Sequence, residues 1–337
     1  MDSILQPRPR RPAIGQAMTD PLQQRAQVWT RYWAGGAAHS CATSYGEAYG
    51  GAIAGFWRRV FDITPASARL LDVATGSGAI PRLWRSWRPS DAWQAVDLAT
   101  AVPPWAAAPA SGIRFHAGVR AEALPFADAE FDLVTSQYGL EYCDRDRALA
   151  EMLRVTAPGG RIALLMHDVE ARPVTLARIE LAHLDWLLGP DGLVNACAAM
   201  LGPVAQATTP QGRARLAGDP VAESARLRFN AAQDALRLRA VVQDGADILF
   251  EVRDTVAGVL QTTVRQGAER AEAELDAWHA AWADHRWRLQ ELCAHALDAD
   301  MAQALASRLA AAGLHANLDR LAEGPHLMGW TLLGAST

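Results

Sequence analysis

Residues 70–78 read Leu-Leu-Asp-Val-Ala-Thr-Gly-Ser-Gly, and after a helix-sized stretch comes Ala95-Val96-Asp97-Leu98. Gly76 and Gly78 let the backbone come close to a ligand where any Cβ would collide with it. Asp97 lies about 20 residues past the last glycine, the offset at which the end of the next strand presents a carboxylate to a ribose diol. The chemistry these residues can do is therefore recognition: a tight turn and a distant acid that together hold a nucleoside.

The residues that are missing narrow the nucleoside. A dinucleotide fingerprint wants a third glycine three residues after Gly78, beneath the pyrophosphate, and that position is Pro81. A nucleoside triphosphate loop needs Gly-Lys-Ser/Thr, and the chain contains no lysine. The same absence removes Schiff-base chemistry on lysine and a pyridoxal phosphate anchor. A cofactor with a ribose and no phosphate remains, and S-adenosylmethionine fits.

The stretch Leu71-Asp72-Val73-Ala74-Thr75-Gly76-Ser77-Gly78 resembles the first motif of class I S-adenosylmethionine-dependent methyltransferases, in particular the quinone-biosynthesis branch. Glu122-Ala123-Leu124-Pro125-Phe126, Phe131-Asp132-Leu133-Val134 and Ala157-Pro158-Gly159-Gly160-Arg161 are similar to later motifs of that family, in order. Two positions depart from it: Ala74 replaces the first loop glycine, and Arg120 stands where an aspartate often precedes the adenine-side Ala-Glu. The resemblance implies that Asp72 orders the loop and approaches the amino acid moiety, while Ala74, Gly76 and Gly78 form the floor. It implies that Asp97 takes the ribose hydroxyls, that Leu98, Ala121 and Glu122 surround the adenine, and that Gln137 sits under the methionine end.

Methyl transfer from a sulfonium is an in-line displacement, so the protein mainly aligns the acceptor and excludes water. A base helps where the acceptor is a hydroxyl or protonated amine. Tyr138 and His167, expected at neighbouring strand tips facing one pocket, are the catalytic candidates, with a structural strand-end histidine as the competing reading for His167. Glu141 either caps a helix or contacts substrate, and His39, Tyr45 and Tyr49 are the aromatic-rich segment's candidate pocket residues. The fourth strand ends Ser136-Gln137-Tyr138-Gly139 rather than Asn/Asp-Pro-Pro-Tyr, which argues against nucleic-acid or release-factor substrates.

The elements needed to position these residues follow from periodicity. Strands at 68–74, 92–97, 112–116, 131–136 and 160–167 alternate with helices from about 79 and over 145–155. The fold expected is α/β: a Rossmann-like, doubly wound, mostly parallel sheet with an antiparallel last strand, an N-terminal helical cap and a large helical insertion after strand five. The domain plan is a disordered tail over 1–24, rich in Pro and Arg, and a cap over 25–66. The cofactor-binding core then covers 67–168, a helical insertion 169–311, and a closing hairpin 312–337. An insertion after strand five emerges where the cofactor lies and is read as a substrate lid; a dimerisation surface, giving a homodimer, or a solvated appendage are the alternatives.

Composition bounds the partners. The chain has 337 residues, is 50% hydrophobic and carries a net charge of -5, so no broad basic face invites a polyanion, and no nucleic-acid partner is expected. No run of 18 apolar residues spans a bilayer, and Met1 to Pro12 lacks a hydrophobic segment, so a cytoplasmic protein without membrane contact is expected. The 4 cysteines are far apart and the 9 histidines form no paired spacing, so no metal site is expected. The function expected is methyl transfer to oxygen or nitrogen, with carbon open, of a small, partly apolar or aromatic molecule. The alternatives are a peptide or carrier-tethered substrate, and a non-catalytic binding protein that keeps the fold.

Overall fold

The computed structural model describes residues 20–37, 49–89, 91–108, 112–242 and 245–336. A seven-stranded sheet runs in the order β3-β2-β1-β4-β5-β7-β6. The strands are β1 Leu70–Val73, β2 Trp93–Asp97, β3 Ile113–Ala117, β4 Phe131–Gln137, β5 Thr156–Met166, β6 His315–Glu323 and β7 His326–Ala335. All neighbours from β3 to β5 pair in parallel, and β7 is antiparallel to both β5 and β6. The order reverses between β1 and β4, the switch point at which open α/β sheets leave a crevice for ligands.

Consecutive residues of β1 show why the sheet needs two covered faces. Leu70 joins a cluster with Ile53 and Trp57 of α2 (Gly51–Asp62) and Ile80 and Trp84 of α3 (Ala79–Arg85). Leu71 joins the opposite cluster, with Leu149 and Met152 of α5 (Arg145–Val155). The short α4 (Pro104–Ala107) lies between β2 and β3. β5 starts earlier than periodicity suggested, at Thr156; its register shifts against β4 between Phe131 and Leu133, and Gly159 takes φ 79° in that stretch.

Helix α1 (Pro21–Ala34) begins inside the segment expected to be a disordered tail, because the side chain of Asp20 caps it by accepting from Leu22 N–H at 3.1 Å and Pro21 pre-sets the first turn. Between β5 and β6 lie α6 (Arg172–Leu187), α7 (Leu193–Gln206), α8 (Pro210–Leu216), α9 (Pro220–Val242), α10 (Asp247–Gln266), α11 (Ala268–His295) and α12 (Ala299–Ala311). Helices α6, α7, α9, α10 and α11 share a core of their own, including Leu184, Cys197, Phe229, Val252 and Trp282. Helix α12 does not belong to it: Ala302, Leu305, Ala306 and Leu309 pack on the sheet. The insertion therefore closes near Leu297 rather than at 311. There the returning chain pairs with the departing one, Leu297 N–H donating to the His167 carbonyl at 2.8 Å and Val169 N–H to the Leu297 carbonyl at 3.1 Å. Among the described residues, no helix is long and apolar enough to cross a membrane.

The junction of β5 and β7 tolerates no side chain at Gly329. A Cβ there would lie 2.3 Å from the carbonyl oxygen of Met166, a backbone atom that cannot move without opening the sheet. Gly329→Ala is expected to destabilise the fold by about 2–3 kcal/mol, the scale of overpacking in a rigid core. Denaturant unfolding checks this; an unchanged midpoint would show that the strands can part locally.

Candidate active site

The glycine turn is built by backbone conformation first. Ala74, Gly76 and Gly78 have φ of 55°, 57° and 76°, the left-handed region in which a Cβ is disfavoured. Ala74 nonetheless holds it, between Val73 at the strand end and Thr75, whose N–H donates to the Val96 carbonyl at 3.0 Å. Asp97 fastens the turn across the strands: Oδ2 accepts from Gly76 N–H at 2.7 Å, and Oδ1 from Ala99 N–H at 2.8 Å. Asp72 lies beneath, accepting from Thr75 Oγ1 at 2.6 Å and Thr135 Oγ1 at 2.7 Å.

Both carboxylates are buried and held by neutral donors, hydroxyls and amides. Burial, with a smaller contribution from the nearby Asp97 charge, raises the Asp72 carboxyl to about 7 in spite of its two hydroxyl donors. Burial likewise raises Asp97 to about 6 against its two backbone hydrogen bonds. Two buried acids with no cation as hydrogen-bond partner among the described residues make this floor a place where a positively charged ligand gains and an anion loses.

Above the floor is a cavity of about 110 Å³. Of the residues singled out by sequence, Asp72, Ala74, Gly76, Asp97, Leu98, Ala121, Glu122, Gln137, Tyr138 and Tyr49 line it. Glu122 is fixed by accepting from Asp144 N–H at 2.9 Å, and lies 3.4 Å from Arg120 Nε. Gln137 is oriented from behind, its side-chain oxygen accepting from Trp57 Nε1. His39 and Tyr45 lie outside the described residues.

Three candidates stand elsewhere. Gly78 does not line the cavity; it caps α3 and faces Trp105, whose ring would lie 2.6 Å from a Cβ at that position and whose Nε1 donates to the Ser77 carbonyl at 2.9 Å. His167 and Glu141 are also outside the lining. Glu141, on a single 3-10 turn (Leu140–Tyr142), takes the histidine inward: its Oε1 accepts from His167 N–H at 2.9 Å and lies 2.7 Å from Nδ1. Tyr138, with φ 52°, stacks on the His167 ring at 4.1 Å and so stands between the histidine and the cavity. Its hydroxyl donates to the Met328 carbonyl at 2.9 Å. The pair expected to face one acceptor is thus arranged in depth, with only the tyrosine at the wall.

The residues of the roof come from the expected N-terminal cap but lie outside the sequence candidates. Leu22, Arg25, Trp29 and Trp33, one face of α1, line the cavity, with the two indoles stacked at 5.6 Å. Trp33 lies directly on the turn, since a Cβ at Gly76 would be 2.6 Å from its ring. Tyr142 meets Trp29 edge-on and completes the aromatic wall. Among the described residues, none from 169–311 lines this cavity, so α1 and not the insertion covers it. Helix α11 holds α1 from behind: Arg31 grips Asp284 with two bonds of 2.6 and 2.8 Å, Arg288 lies 4.1 Å over the Tyr32 ring, and Arg25 Nε donates to Glu291 at 2.7 Å.

Residues 71–164 match the family model described as a methyltransferase domain. The chain is 38% identical over 117 residues to a demethylmenaquinone methyltransferase of Thermus thermophilus, covering 32% of this chain and 52% of that relative. It is 37% identical over 103 residues to a malonyl-[acyl-carrier protein] O-methyltransferase of Methylococcus capsulatus, covering 29% of this chain and 37% of that one. This chain therefore spans about half the length, or less, of these curated relatives. A solved S-adenosylmethionine-dependent methyltransferase from Mesorhizobium loti is 23% identical with a TM-score of 0.30, covering 35% of this chain and 54% of that one.

Proposed function

We propose that this chain, whose core is a class I S-adenosylmethionine-dependent methyltransferase domain, moves a methyl group to oxygen or nitrogen of a small, partly apolar or aromatic molecule. One observation carries the reading: a left-handed turn fastened by Asp97 and floored by Asp72 opens into a cavity roofed by Trp29 and Trp33. Asp72 fits the cationic methionine end of the donor, Asp97 fits its ribose, and the indoles fit an apolar acceptor.

When bound, S-adenosylmethionine supplies an electrophilic methyl carried on a sulfonium. Asp97 and the amides of the turn would hold the ribose end, Glu122 and Leu98 would flank the base, and Asp72 and Gln137 would lie at the methionine end. The acceptor's place is the aromatic wall of α1, Tyr49 and Tyr142. Proximity is the main device, because the Tyr138 hydroxyl already spends its proton on Met328 and the His167 ring is screened by Tyr138. Alignment beneath α1 brings the acceptor's lone pair in line with the methyl, the S–CH₃ bond breaks as the new bond forms, and the acceptor's proton passes to solvent as the methylated product leaves.

Calorimetry with S-adenosylmethionine tests the donor half of the reading, and transfer of labelled methyl to small aromatic and apolar acceptors tests the rest. Saturable binding in the micromolar range is expected. No binding at millimolar cofactor would leave a scaffold that keeps the fold. Likeness to the malonyl-carrier enzyme supports a second acceptor class, a carrier-tethered acyl group; label appearing on carrier protein rather than on free molecules would select it.

A further inference from the structure

We propose that Arg120 sets which purine the cavity accepts, so that a 6-oxopurine nucleoside fits its base end as well as adenine does, a selectivity that rests on the methyl-donor reading of the same cavity. The place of the base follows from Asp97. With the ribose on Asp97 and the methionine end toward Asp72 and Gln137, the base extends past Leu98. Val119 N–H donates to the Asp97 carbonyl at 2.9 Å, which lays the residues after it alongside that end of the cavity. Ala123 N–H then donates back to the Arg120 carbonyl at 3.2 Å, a turn that gathers Arg120, Ala121 and Glu122 in the wall.

The polar side chains of this wall are set to donate rather than to accept. Glu122 is engaged at both oxygens: Oε1 accepts from Asp144 N–H at 2.9 Å, and Oε2 faces Arg120 Nε at 3.4 Å. That long contact is the one hydrogen bond of the Arg120 side chain among the described residues, and the side chain is 44% exposed, so both Nη groups are left for a ligand. Arg25, the other cation in the lining, is held by Glu291 and the Tyr142 carbonyl. A guanidinium only donates. Against the 6-amino group of adenine it sets donor to donor and can use N7 alone, whereas a 6-oxo group beside N7 offers two acceptors matched to the fork, the pairing by which arginine reads guanine. A carboxylate at position 120 would have the opposite sense, accepting from the amino group.

Calorimetry of the full chain with S-adenosylhomocysteine and with its deaminated analogue, S-inosylhomocysteine, tests this, because the two compounds differ only in the purine. Wild type is expected to bind them with dissociation constants within about fivefold of each other. Arg120→Asp should move the ratio of the two constants at least about tenfold in favour of the adenosyl compound, the scale of one bidentate base contact. A general distortion of the site would weaken both compounds and leave the ratio where it was, so the ratio separates recognition from folding. A wild-type preference for the adenosyl compound beyond about fivefold, or a ratio that moves less than about tenfold in Arg120→Asp, overturns the proposal. Binding of neither compound to wild type would sink the methyl-donor reading, and this selectivity with it.

Discussion

Asp97→Ala is expected to weaken S-adenosylmethionine binding at least about tenfold, which corresponds to about 1.4 kcal/mol, and to lower the unfolding midpoint of the free protein. The two effects share a cause. In the free protein both carboxylate oxygens of Asp97 are engaged, one by Gly76 N–H and one by Ala99 N–H. Alanine leaves both buried amides without acceptors, and an unsatisfied buried donor costs about 1–3 kcal/mol. The turn then has no reason to keep Gly76 at φ 57° beneath Trp33. Asp97→Asn separates the contributions, because the amide keeps one acceptor oxygen but turns an N–H₂ toward a donor; its loss should fall between wild type and alanine. Isothermal calorimetry measures the first effect and differential scanning calorimetry the second. A dissociation constant unchanged in Asp97→Ala would remove this residue from the ligand site and leave it a role in the turn alone.

The parts of this site that could be read from sequence are those made by local chain geometry. A left-handed turn needs glycine within a few residues, and the strand-end acid needs only the length of one helix between it and the turn, so Asp72, Gly76 and Asp97 announce themselves. Gly78 stands one step further along the same geometry: as the cap of α3 it faces Trp105, a residue whose position depends on the β2–β3 connection. His167 and Tyr138 were placed at the right strand tips, but which one reaches the cavity depends on Glu141, a carboxylate that looks like any solvated acid in the sequence.

The roof was hidden for a different reason. The α1 aromatics repeat with helical spacing, and that pattern says a face is covered without saying by what. The answer lies in pairs such as Arg31–Asp284 and Arg25–Glu291, between residues far apart in sequence. Charged residues on helices are ordinarily solvated, so nothing in the sequence separates these from their neighbours. The insertion thereby acts on the site from one layer back. Its long helix α11 fixes the helix that touches the ligand, and α12, which periodicity assigned to the insertion, belongs to the sheet because its Leu305 and Leu309 face the same cluster as β1 and β5.

The two buried acids give the strongest pH dependence expected of this molecule. An ordinary aspartate titrates near 3.8, whereas Asp72 is raised to about 7 and Asp97 to about 6 by burial. Between these values the folded protein holds protons that the unfolded chain releases, so stability falls as pH rises. The stability tied to Asp72 is complete below about pH 4 and lost by about pH 7, on the order of 4 kcal/mol at 1.36 kcal/mol per unit. The same buried group favours a cationic ligand only once it is ionised. Affinity for S-adenosylmethionine should therefore rise from pH 5.5 to about pH 8, with proton release visible as a dependence of the binding enthalpy on buffer. Asp72→Asn isolates this contribution, since it leaves the opposite trends of the half-buried His116 and the buried His183, both of which titrate low, untouched. Across that range the variant's unfolding midpoint should decline less than that of wild type, and its affinity should be low and nearly flat. Parallel stability curves for the two proteins would mean that Asp72 is ionised throughout. The floor would then carry a fixed negative charge rather than one that the ligand draws out.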